Sequence, residues 1–424
     1  MKTITRYGLL LFLLTLGFCN ACWGQGEFYR EYWAEFDSLV SNHRDGRWRV
    51  NDAGLSLHKD FGIRQEARAN GLMLVNVPED LFQLTRAELY LELWDGHPKT
   101  SHKRFFVNGR GPYPIPGDAT KEGDMIYSYP TIRLQVSHLV TGVNAFQFAV
   151  DRGNSFWGHF IIDNAAVRAV LNSDHPELTS NALAEFFAVP KIHGDIFNVG
   201  NVLTVSLSCS ERYASMIESV DYIARYTGFD DDGDRVDGDW HGFTLDKKPI
   251  NHVGSSTAFP FKVNWKTDMV PDQPKPIALK AVVHFKNGLH YRTPVLDGIE
   301  FKANRRVIMI TCADLPVPFH SRASREVIAR FYLPDELTDL QRAQLWVKTW
   351  DGGAGTIKDP FTINGYPYTI ISGKAVHDVI FTVIDLKLHH LKPGENTIRL
   401  YSDTHHHGIE ILGPGPCFVL KYKR

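Results

Sequence analysis

Apolar and polar residues alternate along most of the chain after residue 65, with the two-residue period of strands that bury one face. The alternation is plain in Ala87-Glu88-Leu89-Tyr90-Leu91-Glu92-Leu93, in Ala145-Phe146-Gln147-Phe148-Ala149-Val150 and in Thr397-Ile398-Arg399-Leu400-Tyr401. Asn108-Gly109, Asn287-Gly288, Asn364-Gly365 and Pro393-Gly394 mark turns between such runs. This pattern predicts an all-β protein. Near the start, Gly26 to Val40 carries apolar and aromatic residues at mixed spacing, which predicts one short N-terminal helix packed on the first β unit.

Two long stretches repeat each other. The run from Pro78 to Gly96 ends Glu92-Leu93-Trp94-Asp95-Gly96, and the run from Pro334 to Gly352 ends Lys348-Thr349-Trp350-Asp351-Gly352. Phe106-Val107-Asn108-Gly109 answers Thr362-Ile363-Asn364-Gly365, Leu139 to Asn144 answers Leu391 to Asn396, and Gly158 answers Gly408. One unit is therefore written twice, over 66–175 and 301–424, after a helix and linker over 25–65. The block at 195–300 is not a third copy. Its short alternating runs, among them Val202 to Leu207 and Ala278 to Phe285, predict a separate small sandwich between the two units.

The strand run closing on Trp94-Asp95-Gly96, the Asn-Gly hairpin at Asn108 and the closing pattern at Leu139 to Phe148, matched at Leu391 to Ile398, resemble the galactose-binding-like β-jelly-roll of many carbohydrate-binding modules. The middle block, with Ala258 to Trp265 ahead of Ala278 to Phe285, is similar to the immunoglobulin-like modules of secreted bacterial glycan-degrading proteins. The resemblance implies two jelly-roll β-sandwiches flanking an immunoglobulin-like sandwich, with polysaccharide as the partner. Fold alone does not fix the function.

Compartment is indicated by the first residues. Lys2 and Arg6 precede a short apolar stretch from Gly8 to Phe18, with small residues at Cys22 and Gly24, so residues 1–24 are expected to be a cleaved secretory signal. The stretch is short for a membrane span, and no later segment is apolar enough for one. The expected location is secreted or periplasmic, with cell-surface association open, because Cys19 or Cys22 could carry a lipid. Cys209, Cys312 and Cys417 remain, too few and too widely spaced for a disulfide framework, and read as buried thiols. The formal net charge is -2 and basic residues are scattered, which argues against nucleic acid as a partner.

Two segments carry candidate chemistry. Asp230, Asp232 and Asp234 have the alternate spacing of a calcium loop, where a hard cation gathers several oxygens, and Asp237 or Asp239 could complete the shell. Arg235 stands where an EF-hand has glycine, and no glutamate closes the loop, so a structural calcium is weighed against a solvated acidic hairpin tip. The second segment is His405-His406-His407-Gly408-Ile409-Glu410. On a strand, His405 and His407 would share a face. The first copy has Phe156-Trp157-Gly158-His159 there, so the fold does not require the cluster. His405, His407 and Glu410 are the catalytic candidates. Trp157, His159, Trp240, Tyr366, Tyr368 and His406 are ligand-binding candidates, the aromatics because an indole or phenol face stacks on a pyranose. The Trp-Asp-Gly steps occur in both copies and read as structural.

No Gly-x-Ser-x-Gly, His-Glu-x-x-His or phosphate loop occurs. The expected function is glycan binding through the jelly-roll modules without a catalytic centre of the chain's own. The alternatives are a polysaccharide hydrolase or lyase with a His/Glu site in the second unit, and a structural or adhesive surface protein.

Overall fold

The structure is a computed structural model that describes residues 26–34, 48–50, 72–96, 100–116, 125–151, 160–196, 200–234, 236, 238–301 and 305–423. The expected signal segment, Cys19, Cys22, Trp157 and His159 lie outside the described residues. The regular structure that is described is nearly all β-strand, as the alternation predicts.

In the first repeat, Leu84–Trp94 pairs with Phe160–Leu171, and this layer faces a four-stranded sheet ordered Leu72–Val77, Gly142–Asp151, Ser101–Val107 and Arg110–Pro114. Leu89, Leu91, Leu93, Phe105, Phe146, Phe148 and Phe160 fill the space between. In the second repeat, Leu340–Asp351 lies between Val379–Leu386 and Cys417–Lys423 and faces Val327–Leu333, Gly394–Leu400, Phe361–Ile363 and Tyr366–Pro367. Phe331 stacks on Phe418 at the centre of that core. Burying each such side chain contributes about 1.5–3 kcal/mol.

Matching residues make matching hydrogen bonds in the two sandwiches. Asn108 donates to His138 O and Asn144 Oδ1, and its Oδ1 accepts from Ala145 N. Asn364 donates to His390 O and Asn396 Oδ1, and its Oδ1 accepts from Thr397 N. Asn144 and Asn396 in turn close the turns at Gly142 and Gly394 through the same three bonds each. Both Asn108 and Asn364 hold positive φ ahead of glycine, which asparagine tolerates better than most residues.

In the middle unit, Val189–His193, Val202–Ser208 and Val263–Lys266 form one sheet. Opposite it, Ile217–Tyr226 and Ile277–Phe285 pair with each other and belong to a twelve-stranded sheet that runs on into the first sandwich.

The element that joins them corrects the expected N-terminal helix. Glu27–Trp33 is a strand. One edge pairs with the last strand of the first sandwich, Tyr29 opposite Val170, and the other with the middle unit, Phe28 opposite Tyr291. Phe28, Tyr29, Tyr32 and Trp33 favour an extended, pleated environment, and two open sheet edges offer partners to the backbone groups of the segment. Phe28 is buried in the middle unit's core while Tyr29 faces the other way. Arg305–Thr311 takes the corresponding place beside the last strand of the second sandwich, Val307 opposite Lys421. Glu27–Trp33 thus pairs with both the first sandwich and the middle unit.

Two apolar clusters join the units. Tyr90, Tyr127 and Tyr129 of the first sandwich meet Val379 and Leu412 of the second, with Phe243, Leu245 and Ile250 of the middle unit against them. Phe229 and Met269 of the middle unit meet Val307, Trp346 and Val419 of the second sandwich. Cys209, Cys312 and Cys417 are free thiols, and burial pushes Cys417 well above the usual thiol range.

Candidate functional site

On the outer face of the second sandwich, Glu410 lies in the short strand Ile409–Ile411, opposite Trp350 on one side and His320 on the other. Directly opposed residues share a sheet face, so His320, Glu410 and Trp350 form one row. Ile409 and Ile411 point the other way, into the core. His320 Nε2 is 3.8 Å from Glu410 Oε1. Burial pushes the Glu410 carboxyl up to about 7, with Arg322 opposing the shift. The first sandwich has Ile161 at the position of Glu410, opposite Trp94, so the ladder itself needs no carboxylate there.

Above Trp350 lies an imidazole cluster. The ring centroids of Trp350 and His377 are 5.7 Å apart and nearly parallel at 25°. His407 is 5.6 Å from Trp350 and 4.6 Å from His377. Two glycines permit this closeness. A Cβ on Gly352 would stand 2.3 Å from the Trp350 ring, and one on Gly408 would stand 2.0 Å from Ser321 O. The Gly352 N–H donates to Gly408 O at 2.7 Å, and the Thr404 hydroxyl donates to His407 O. Asp403 accepts from Thr356 N and its hydroxyl. The loop that carries His407 is thus tied down at both ends.

The expectation that His405 and His407 share a strand face is corrected: residues 401–408 are not strand, which begins only at Ile409. Thr404, Gly408 and the Ser402 side chain are held by loop bonds in place of a ladder. His405, His406 and His407 are all exposed, and His407 turns back over Trp350. Glu410 is brought to His320 and Trp350. Trp350 and His377 join the site without having been candidates from the sequence. Trp350 reads as structural because Trp94 matches it, and His377 stands in a segment with no periodicity. His377 takes the place of Met125 in the first sandwich: both have positive φ, and both stand two residues before the partner of the tryptophan, Val379 and Tyr127.

Tyr368 and Tyr366 sit at the other end of the sandwich. The Tyr368 hydroxyl bonds His390 Nδ1 at 2.7 Å and accepts from Lys387 N. Tyr113 does the same with His138 and Gln135 N in the first sandwich. Tyr368 thus belongs to a contact both sandwiches share. Tyr366 is exposed, and one face of its ring is stacked on His390 at 3.7 Å. Trp240 is in the middle unit, on the strand Asp239–His241, with Lys280 Nζ 3.9 Å above its ring and the Arg225 guanidinium at 5.5 Å.

The acidic loop is not a free hairpin tip. Asp230, Asp232 and Asp234 each place a carboxylate oxygen within 4.8 Å of the others. Burial and the nearby Asp239, Asp234 and Asp230 push Asp232 up to about 7, and burial also raises Asp239. Between them, Asp231 points inward and bonds His241 Nδ1 at 3.0 Å and Asn251. A Cβ on Gly233 would stand 2.5 Å from Ile126 of the first sandwich, so the loop is wedged against it. Lys348 of the second sandwich, fully buried, donates to the backbone oxygens of Asp231 and of Tyr127. Burial pushes the Lys348 ammonium down, and Asp231, Asp232 and Asp230 oppose that. A cation held by Asp230, Asp232, Asp234 and Asp239 would relieve the crowding of carboxylates where the three units meet.

No protein-family model and no curated protein matches the chain. Among solved structures, it is similar to a glycoside hydrolase of family 86 in complex with neoagarooctaose, at TM-score 0.24 and 11% identity over 55% of this chain and 33% of that one. A β-porphyranase of family 86 from the human gut bacterium Bacteroides plebeius gives TM-score 0.21 and 13% identity over 56% and 36%. A β-glucuronidase of Parabacteroides merdae gives TM-score 0.18 and 10% identity over 68% and 36%. The chain spans about a third of the length of these structures. Likenesses of this size assign no family. Among the described residues, no helix is long and apolar enough to cross a membrane.

Proposed function

We propose that the protein is a secreted or periplasmic glycan-interacting protein, built of two copies of a jelly-roll module around an immunoglobulin-like unit, which binds polysaccharide without a catalytic centre of its own. The observation that carries this reading is the Trp350–His377–His407 cluster. It places an indole face and two imidazoles together at a loop end of a β-sandwich, with His407 exposed and its loop tied down. Aromatic faces receive the CH side of a sugar ring, and imidazole nitrogens bond its hydroxyls in either direction. Supporting it, the matching position to His377 is a methionine and that to Glu410 an isoleucine, so the second module carries polar groups its fold does not need. The acidic loop, on this reading, holds a structural calcium that stiffens the junction of the units. Retardation of the chain in gels containing neutral or acidic polysaccharides tests the reading; migration unchanged by every polymer would contradict it.

One observation favours a second reading. Burial pushes the Glu410 carboxyl up to about 7, and it lies 3.8 Å from His320, which suits a proton-transfer group of a hydrolase or lyase. The ionic partner beside it is a histidine, whereas glycoside hydrolysis usually sets two carboxylates across the scissile bond. Release of reducing ends or unsaturated uronates, abolished by Glu410→Gln, would establish this reading.

A further inference from the structure

The outer face of the twelve-stranded sheet, where the middle unit continues into the first sandwich, holds a second unusual group. Lys280 lies opposite Ile223, Arg292 lies opposite Val282 two residues along, and Trp240 lies opposite Arg225. The strands Ile217–Tyr226, Ile277–Phe285 and His290–Arg292 alternate and directly paired residues share a face, so Lys280, Arg292 and, through Arg225, Trp240 share the face that turns away from the core of the middle unit. Beside them stand Arg86 and Glu88 of the first sandwich, Arg168, and Glu27 and Glu31 of the bridging strand.

These charges pair unequally. Arg86 bonds Glu27 at 2.5 Å and Glu88 at 2.8 Å. Arg292 bonds Glu27 at 2.6 Å and Glu88 at 3.2 Å. Arg168 bonds Glu31 at 2.8 Å. The three carboxylates are therefore taken by three guanidinium groups. Arg225, opposite Trp240, bonds Asp297 at 3.2 Å. Lys280 is a further cation of this face, and among the described residues its contact is the Trp240 ring, 3.9 Å away. A cation–π contact recovers part of the cost of desolvating the ammonium. That does not offset removing an ammonium from water beside other cations. Burial and the charges of Arg292 and Arg168 push the Lys280 ammonium down to about 8, against the pull of Glu88 and Glu27. A fold that departs from charge pairing at one place commonly does so for a ligand.

We infer that Lys280, with Arg292 and the Trp240 ring beside it, binds the carboxylate or sulfate group of an acidic polysaccharide. The ammonium gives the anion a counter-charge that the native ion pairs leave available, and the indole edge lines the sugar ring. The inference rests on the glycan reading above but uses a different unit and different residues. It narrows the ligand to an anionic polymer.

The test uses the full chain in affinity gels containing polygalacturonate as the carboxylated polymer, λ-carrageenan as the sulfated one and dextran as the neutral one. The native chain is expected to be retarded by at least one acidic polymer, and less so as salt is raised. The polymer that retards it identifies the anion. Lys280→Met is expected to lower that affinity at least tenfold with an unchanged or higher melting temperature, because a desolvated charge has gone. Lys280→Arg should keep most of it. If the methionine variant does not fold, Lys280→Gln serves the same comparison. Equal retardation of native and Lys280→Met chains, or no response to either acidic polymer, would overturn the inference. His407→Ala separates it from the proposed module-2 site. Loss of retardation there, with the Lys280 effect absent, leaves the glycan reading standing and removes only this site.

Discussion

Glu92 and Lys348 occupy matching positions in the two sandwiches, and both are fully buried against the middle unit, an acid in one and a base in the other. Glu92 accepts from Thr244 Oγ1, from the backbone N–H groups of Asp246 and Lys247, and from Asn164 Nδ2. Lys348 donates to Asp231 O and Tyr127 O and lies 3.9 Å from Asp231 Oδ1. One strand position, present twice, thus fastens each sandwich to the same neighbour with opposite chemistry. Lys348→Ala removes the donor to those oxygens and should destabilise the chain by roughly 3–5 kcal/mol, as the loss of one partner of a buried pair does. Urea unfolding measures it, and a change below about 1 kcal/mol would mean that Lys348 does not hold the units together.

Glu410 gives a pH dependence with a definite sign. Its folded-state pKa is raised to about 7, so the folded chain keeps a proton that the unfolded chain releases near the ordinary glutamate value of 4.5. Stability should therefore fall as pH rises from about 4.5 to 7 and level off above. The full effect is on the order of 3 kcal/mol at about 1.4 kcal/mol per unit. Glu410→Gln should flatten that slope and melt higher than the native chain at pH 8. A native melting curve with the same slope as the variant would show that Glu410 ionises as it does in water.

Calcium should act on the same melting curve from the acidic loop. A cation bound only by the folded chain stabilises it by about 2.7 kcal/mol at a hundredfold excess over Kd. Chelation should lower the melting temperature, and Asp232→Ala should remove the difference. The calcium effect should weaken below about pH 7, where Asp232 takes up a proton and no longer offers a charged ligand. Identical melts with calcium and with chelator would leave only a wedged, unliganded loop.

Tyr368→Phe and Tyr113→Phe should behave alike. Each removes a hydroxyl that bonds a histidine and a backbone N–H, at a cost of about 1 kcal/mol in stability, and neither should alter glycan retention. Loss of retention in Tyr368→Phe without loss of stability would make Tyr368 a ligand contact after all.

The alternation of residues such as Ala87 to Leu93 makes the strands legible, and the repeated Asn-Gly and Leu-x-x-Gly-x-Asn patterns locate the turns that Asn108, Asn144, Asn364 and Asn396 lock. Glu27–Trp33 is not legible as a strand because its partners lie at Ala166–Val170 and His290–Arg292, far along the chain; local spacing cannot reveal an open sheet edge. The same distance hides the site. His377 and His407 come together through a loop crossing, and Trp350 passes for structural because Trp94 shares its position. The acidic residues are legible as a cluster, but their wedging between units depends on Gly233 meeting Ile126 and on Lys348 arriving from the second sandwich. Lys280 is invisible in sequence because its isolation emerges only once Arg86, Arg168 and Arg292 are seen to occupy the nearby carboxylates.

The most direct test of glycan binding through the second module is polysaccharide affinity of the native chain beside His407→Ala, with thermal unfolding of both. His407 holds its exposed ring over Trp350, and the Thr404 hydroxyl bonds its backbone oxygen, a contact that alanine keeps. The variant should bind at least tenfold more weakly to the polymer that retards the native chain, with a melting temperature within a few degrees of it. Equal affinity, or a lowered melting temperature that accounts for all of the lost binding, would contradict a ligand site at Trp350, His377 and His407.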